Sequence, residues 1–184
     1  MPSPDTITFR YDPEKEILEN AVLNTRVLVF DADFIKALTD SLTKTFQSGA
    51  VVIIYQMGLA YGELLGRRIV ESGGLSKQAE GVYRARYASL AAGKFRFPPL
   101  AALASAGPQQ QVRVTLEDSF FARAIGRTGK PECHIVRGLL EGTANVVFGR
   151  DYACQETRCL SKGDDLCEFL VVPRAQARNE SPRE

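Results

Sequence analysis

One carboxylate and three thiols of this chain have the types and spacing that could close around a metal ion. Glu156, Cys159 and Cys167 follow one another as E-x2-C-x7-C, and Cys133 precedes them. Thiolates and carboxylates bind Zn²⁺ in tetrahedral geometry, and four protein ligands leave no open position for a reacting water. The four residues therefore predict a structural zinc site rather than a catalytic one.

The same cysteines have simpler interpretations. The chain contains four cysteines among 184 residues, and a free cysteine often packs in a core as a small hydrophobic residue. Residues 1–12 are polar and carry Pro2 and Pro4, with no apolar stretch of the kind found in a secretion signal, which predicts a cytoplasmic protein. Because a reducing compartment disfavours disulfides, disulfide bonds are the weaker alternative to metal binding.

Length and composition predict a single domain over residues 1–173 and a solvated tail over residues 174–184. A chain with 45% hydrophobic residues can bury one substantial core. Its 23 basic and 22 acidic residues almost cancel, which gives no electrostatic argument for a nucleic-acid partner or a membrane surface. The tail has no large apolar residue, and we expect its removal to leave the fold intact.

The hydrophobic pattern predicts an α+β domain with helices packed on a mainly antiparallel sheet. Residues 50–65 predict a buried helix, because Gln56 and Glu63 interrupt a run shorter than the roughly 20 residues that cross a bilayer. Other helices are predicted from a cap at Asp31 or Asp33 to about residue 46, at 76–92, and from a first turn at Pro131 to about 147. Strands are predicted at 7–11, 26–30, 112–116, 152–158 and 167–172, and residues 94–111 predict an irregular connection.

The predicted final hairpin constrains the metal site. Glu156 and Cys159 lie three residues apart and would face opposite sides of a regular strand, so the chain must bend before Cys159. Zn²⁺ with three thiolates and one carboxylate carries a formal charge of about −2, which needs donors nearby. Arg150, Arg158 and Lys162 are the candidate donors.

Three other features have open interpretations. Cys154 shares the strand face of Glu156 and could line a pocket, replace a ligand or simply pack in the core. His134 adjoins Cys133 but would lie about 100° around a helix from it, so we do not expect it to be a ligand. Gly58 and Gly62 could let another backbone, a second copy of the chain or a ligand approach the long helix.

The last part of the domain resembles the 4-vinyl reductase domain family. The resemblance lies in a helix with a G-x3-G pattern within residues 133–142, the E-x2-C of residues 156–159, and the G-D-x2-C-x-F of residues 163–169. It implies a fold like that of the core subunits of the TRAPP vesicle-tethering complex. The family also includes the sensory domains of aromatic-responsive activators of the XylR and DmpR type, in which three cysteines and a glutamate hold zinc beside a binding pocket. The resemblance thus implies that Cys133, Glu156, Cys159 and Cys167 hold structural Zn²⁺.

The function implied is a stand-alone small-molecule sensor with an apolar pocket between the long helix and the sheet, binding a hydrophobic or aromatic molecule. Tryptophan, which lines the pockets of those sensors, is absent here, so the ligand need not be phenol. Candidate pocket residues are apolar or aromatic: Phe34, Tyr55, Tyr83, Phe120, Phe121, Phe148 and Cys154. An enzyme is the less favoured interpretation, because the chain has no G-x-G-x-x-G fingerprint and no open metal position. The alternatives are an accessory protein or reductase of tetrapyrrole metabolism and a TRAPP-like scaffold, and a homodimer is expected.

Overall fold

A computed structural model describes residues 9–21, 25–71, 87, 90, 92–98 and 111–177. Its strands are β1 (Phe9–Asp12), β2 (Ile17–Asn20), β3 (Thr25–Val27), β4 (Lys94–Arg96), β5 (Val112–Glu117), β6 (Tyr152–Arg158) and β7 (Cys167–Pro173). Its helices are α1 (Ala32–Phe46), α2 (Gly49–Glu71), α3 (Phe120–Ile125), α4 (His134–Phe148) and α5 (Arg174–Ala177), with a 3-10 turn at Leu160–Lys162. The predicted α+β class is confirmed.

The main sheet is antiparallel, with the strand order β4-β5-β7-β6. Side chains of β5 alternate between buried and less buried positions, as the sequence pattern predicts for a strand with one face on the core. Phe169 and Cys167 of β7 and Tyr152 of β6 are fully buried on the same core. A second antiparallel sheet, β1-β2-β3, is formed by the N-terminal residues.

Helix α4 lies between the main sheet and α2, and contacts both. The two helices approach each other through glycines: a Cβ placed on Gly58 would lie 2.1 Å from the carbonyl oxygen of Ile135, and one on Gly62 would lie 2.2 Å from that of Leu139. The prediction that another backbone comes close to these glycines is confirmed. The partner is α4 of the same chain, so the interpretation of Gly58 and Gly62 as a contact between copies is wrong.

A buried hydroxyl also ties the two helices together. The Oγ1 of Thr143 donates to the carbonyl oxygen of Leu139, 2.8 Å away, and lies 3.2 Å from that of Gly62. The hydroxyl of Tyr87 donates to the same Oγ1 at 3.0 Å. Because an unsatisfied polar group in a core is costly, this chain of contacts fixes the relative position of the helices as well as adding to packing.

Helix α2 is buried on one side only, which corrects the prediction of a fully buried helix. Val52 is 58% exposed and Tyr61 is 48% exposed, whereas Leu65 and Ile69 are buried. Within the described residues, α2 is the one helix that is long and apolar enough to cross a membrane, and a helix packed in a protein core meets the same criterion. The absence of a membrane span stays a prediction.

Several element boundaries differ from those predicted. Strand β3 ends at Val27 rather than Phe30, and α4 begins at His134 rather than at Pro131. Strand β4 interrupts the predicted irregular connection, and β2 and α3 were not predicted. The cap of α1 is Asp31, whose Oδ1 accepts from the backbone N–H of Phe34 at 2.8 Å. The predicted helix at 76–92 lies almost entirely outside the described residues, although Tyr87 within it is helical.

Candidate metal centre and ligand cleft

Each of the four candidate ligands stands at the end or the irregular point of an element. Cys133 immediately precedes α4, and Cys167 is the first residue of β7. Glu156 lies on the buried face of β6, next to a bulge between Glu156 and Arg158. Cys159 follows the end of β6 and opens the 3-10 turn. The predicted bend before Cys159 is confirmed, and the bulge is its structural cause.

The ligand atoms of these four residues lie within 4.8 Å of one another. The Sγ atoms of Cys133 and Cys167 are 3.5 Å apart, and those of Cys167 and Cys159 are 4.0 Å apart. A tetrahedron with Zn–S bonds of about 2.3 Å has S–S edges of about 3.8 Å. These separations fit ligands around one ion and are much longer than the ~2.05 Å of a disulfide bond.

The carboxylate of Glu156 supplies the clearest sign of a missing partner. Its Oε2 accepts from the backbone N–H of Cys133 at 3.1 Å, but its buried Oε1 has no hydrogen-bond partner among the described residues. Burial raises the pKa of Glu156 to about 8. A buried unpaired carboxylate oxygen is costly, and a cation would satisfy it. The residues present therefore fit a divalent metal with thiolate and carboxylate ligands.

Backbone and hydroxyl groups surround the sulfur atoms. The N–H of Leu160 lies 3.5 Å from the Sγ of Cys167, and the Oγ of Ser119 lies 3.4 Å from the Sγ of Cys133. Hydrogen bonds with Cys159 and Cys167 raise the pKa of the Cys133 thiol well above its usual range. Such donors offset the negative charge of a thiolate cluster.

The predicted charge donors lie elsewhere. Arg158 pairs with Asp165, both of them exposed, and Lys162 is exposed in the turn. The donors found at the sulfur atoms are therefore neutral groups of the local fold.

The turn that carries Cys159 is fixed by its own hydrogen bonds. The carbonyl oxygen of Cys159 accepts from the N–H groups of Lys162, Gly163 and Asp164 at 3.0, 3.2 and 3.1 Å. The N–H of Cys159 donates to Oδ2 of Asp164 at 2.7 Å. Gly163 has a φ of 113°, which favours glycine. The local sequence thus positions the Cys159 thiol before any metal binds.

The predicted pocket residues are dispersed over the structure. Phe121 lines a cleft, with Phe120 in edge contact with its ring. Phe34 is 46% exposed and stacks on Phe30, and the guanidinium of Arg137 lies over the ring of Tyr55. Phe148 packs on Tyr152, and Cys154 is buried. Tyr83 lies outside the described residues, and ligand contact by all seven stays a prediction.

The cleft lies between α1, α2, α3 and the segment of residues 128–135, with a volume of about 550 Å³. It is on the other side of α2 from the predicted pocket, because α4 packs between α2 and the sheet. Its lining includes Glu132 and His134, which flank the candidate ligand Cys133. The Nε2 of His134 is 3.6 Å from Oε2 of Glu132, and burial lowers the pKa of His134. His134 is therefore placed in the cleft and not among the candidate metal ligands.

Sequence reasoning missed a buried acid at the centre of α4. Glu141 is 2% exposed, accepts from the N–H of Cys154 at 2.8 Å and pairs with Arg174 at 2.5 Å. Burial, then a hydrogen bond to Glu141, raises the pKa of Tyr55. A charged residue within the otherwise apolar run of residues 138–144 was the signal available in the sequence. Arg174, placed in the predicted solvated tail, is instead the ion-pair partner of this acid, while residues 178–184 lie outside the described residues.

Replacing Arg174 by alanine is expected to lower the free energy of unfolding by about 1–3 kcal/mol, because it leaves a buried carboxylate without its cation. The Arg174 side chain is 48% exposed, which keeps the loss below that of a fully buried pair. Arg96→Ala removes the exposed pair with Glu117 and is expected to cost less than about 1 kcal/mol. Urea unfolding of both variants makes the comparison, and equal losses would show that Arg174 is ordinary surface.

Comparison with known proteins agrees with this fold. The chain superposes with a TM-score of 0.71 on the phenol-responsive sensory domain of the transcription activator PoxR with phenol, at 17% identity, covering 95% of this chain and 92% of that one. It superposes with a TM-score of 0.50 on trafficking protein particle complex subunit 3 from Naegleria fowleri, covalently bound to palmitic acid, at 17% identity, covering 77% and 92%. At this level of identity the likeness concerns the fold.

Sequence relatives give the same assignment. An uncharacterised protein of Methanocaldococcus jannaschii is 28% identical over 124 residues, which cover 67% of this chain and 65% of that protein. A second protein of the same organism is 29% identical over 63 residues, and the match spans only 39% of its length. The family model of the 4-vinyl reductase domain matches residues 112–173, the segment from β5 to β7 that holds all four candidate ligands. Residues 112–173 therefore form a 4-vinyl reductase domain.

Proposed function

We propose that this chain is a small-molecule-binding sensor module whose domain is braced by a structural Zn²⁺ ion held by Cys133, Glu156, Cys159 and Cys167. The observation that carries the zinc brace is the buried donor cluster with its unpartnered Glu156 oxygen. Zinc at this point would join the start of α4 to both strands of the final hairpin. Four protein ligands exclude a water from the ion, so its contribution is to stability.

The sensor function is supported by the 4-vinyl reductase domain and by the fold shared with the PoxR sensory domain, which responds to phenol. A hydrophobic or aromatic small molecule is the ligand class we propose for this chain. A cleft of about 550 Å³ falls within the usual range of 300–1,000 Å³ for ligand sites.

Ligand binding is tested on protein as isolated. Native mass spectrometry followed by organic extraction is expected to find a retained apolar or aromatic compound, or else a thermal shift with at least one member of a panel of small aromatics that includes phenol. Absence of both results would contradict the sensor proposal. A visible absorption band from a retained tetrapyrrole would favour the alternative of tetrapyrrole metabolism.

Zinc affinity is expected to fall by at least about tenfold per pH unit as the pH decreases from about 8 to 6. A ligand must lose its proton to bind zinc, and the zinc-free chain holds a proton on Glu156 at neutral pH because its pKa is raised to about 8. The raised pKa of Cys133 adds a second competing proton. Competition with a chromophoric chelator across this range measures the slope, and an affinity independent of pH would contradict the proposed ligand set.

We also propose that the chain forms a homodimer. Tyr61 and Leu64 lie on one stripe of α2 and are 48% and 40% exposed in the single chain. Because Gly58 and Gly62 already face α4, a second copy would use this stripe instead. Light scattering after size exclusion is expected to give twice the mass of one chain, and a monomer at high micromolar concentration would rule this out.

A further inference from the structure

The cleft beside the candidate metal centre has an apolar wall and a polar wall. Helices α1 and α2 contribute Leu38, Val51 and Ile54, and α3 contributes Phe121 and Ile125. The segment before α4 contributes polar groups at Thr128, Lys130, Glu132 and His134. Few and grouped polar atoms in a mainly apolar cavity are typical of sites that orient a small molecule.

Charges that line the cleft are already paired. Asp40 pairs with Lys36 at 2.9 Å, and Glu132 pairs with Lys130 at 3.7 Å. A charged ligand would have to break one of these pairs or enter without a partner, which is costly away from water. An uncharged ligand can use the carboxylate of Glu132 and the imidazole of His134 as hydrogen-bond partners without such a cost.

The polar wall is attached to the candidate metal centre. The backbone N–H groups of Thr128 and Gly129 donate to the carbonyl oxygen of Ser161, at 2.9 and 3.1 Å. Ser161 lies in the 3-10 turn between Cys159 and Cys167, and its Oγ donates to the carbonyl oxygen of Ala122 in α3 at 3.1 Å. Two walls of the cleft therefore rest on the turn that presents the thiols.

We propose that the cleft between α1, α2, α3 and residues 128–135 binds an uncharged amphipathic small molecule, with its apolar body against α1, α2 and α3 and its hydrogen-bonding group at Glu132 and His134. This inference rests on the proposed function, since it specifies where the sensor module holds a ligand and which ligand class it takes. The turn bonded to the polar wall also carries the thiols, so occupancy of the cleft and metal binding stabilise the same segment.

The test uses two fluorescent probes that differ by one charged group. N-phenyl-1-naphthylamine is uncharged and has an apolar body with one N–H donor, and 1-anilinonaphthalene-8-sulfonate adds a sulfonate. The uncharged probe is expected to bind the full, zinc-loaded chain saturably and at least about tenfold more tightly than the anionic one, a difference of ~1.4 kcal/mol. Absence of saturable binding, or tighter binding of the anionic probe, overturns the proposal.

Neighbouring residues of α2 supply matched variants. Val51 lines the cleft, whereas Val52 is 58% exposed away from it. Val51→Trp is expected to fill the cleft and weaken binding of the uncharged probe at least about tenfold, and Val52→Trp to change it less than about twofold. Equal effects of the two variants overturn the assignment.

A second variant guards against misfolding of Val51→Trp. Thr43 lines the cleft from α1 and is exposed, so Thr43→Trp narrows the cleft without disturbing the core. It is expected to weaken probe binding in the same direction, and unchanged binding overturns the proposal. Zinc measured on the same samples separates the two proposals. Zinc bound while neither cleft variant affects the probe refutes only the cleft, and probe binding that depends on the cleft in a zinc-free chain refutes only the zinc brace.

Discussion

Replacing Cys159 or Cys167 by serine is expected to abolish zinc binding and to lower the free energy of unfolding by more than about 4 kcal/mol, the range that marks loss of a metal. Both thiols are fully buried, so no water can replace the lost ligand. The remaining cluster would keep a buried carboxylate oxygen without a partner. Elemental analysis and chemical unfolding of each purified variant measure the two effects.

Cys154→Ser is the matched control for these substitutions. Cys154 is also buried and lies on the same strand as Glu156, but it is not part of the donor cluster. Its replacement is expected to cost about 1–2 kcal/mol, through burial of a hydroxyl, and to leave the zinc content unchanged. If all three variants lost the same stability and kept equal metal, the cysteines would be core residues and the zinc brace would be wrong.

Gly138→Ala is expected to have the second largest effect, a loss of about 3 kcal/mol. A Cβ at this position would lie 2.1 Å from the carbonyl oxygen of Tyr55 and 2.7 Å from the backbone nitrogen of Leu59. Both atoms belong to the backbone of α2, so no side-chain rotation can relieve the contact, and the two helices must separate. That separation would disturb the Thr143 bridge to Gly62 as well.

Gly49→Ala provides the comparison within the same helix pair. At Gly49 the nearest atom to an added Cβ is the Cβ of Phe46 at 3.7 Å, an ordinary contact. Because alanine favours helices over glycine, this variant is expected to keep or slightly raise stability. Thermal unfolding of both variants distinguishes close helix packing from a general intolerance of α2 and α4 to alanine, which would lower both midpoints alike.

The metal ligands could be predicted because their chemistry and spacing are local. Glu156 and Cys159 lie at the end of one strand, and Cys167 begins the strand that pairs with it. Only Cys133 comes from a separate element, and it is close in sequence. The approach of another backbone to Gly58 and Gly62 was predictable for the same reason, since a helix face without side chains has few other uses. That this backbone is α4 depends on the tertiary fold.

Pocket residues could not be predicted in the same way. Aromatic side chains are buried for packing as readily as for ligand contact, so their sequence pattern does not distinguish the two roles. Phe34 stacks on Phe30 at the surface, and Phe148 packs on Tyr152. The cleft is formed by elements distant in sequence, including the unpredicted helix α3. The ion pair of Glu141 with Arg174 likewise spans 33 residues and has no local signature.

The central claim is that the four residues Cys133, Glu156, Cys159 and Cys167 hold one zinc ion that stabilises the domain. Native mass spectrometry with elemental analysis of the same purified sample tests it most directly. One zinc per chain, lost together with the thermal midpoint on chelation, is the predicted result. A metal-free chain with four reactive thiols and a thermal midpoint unaffected by added zinc would contradict it.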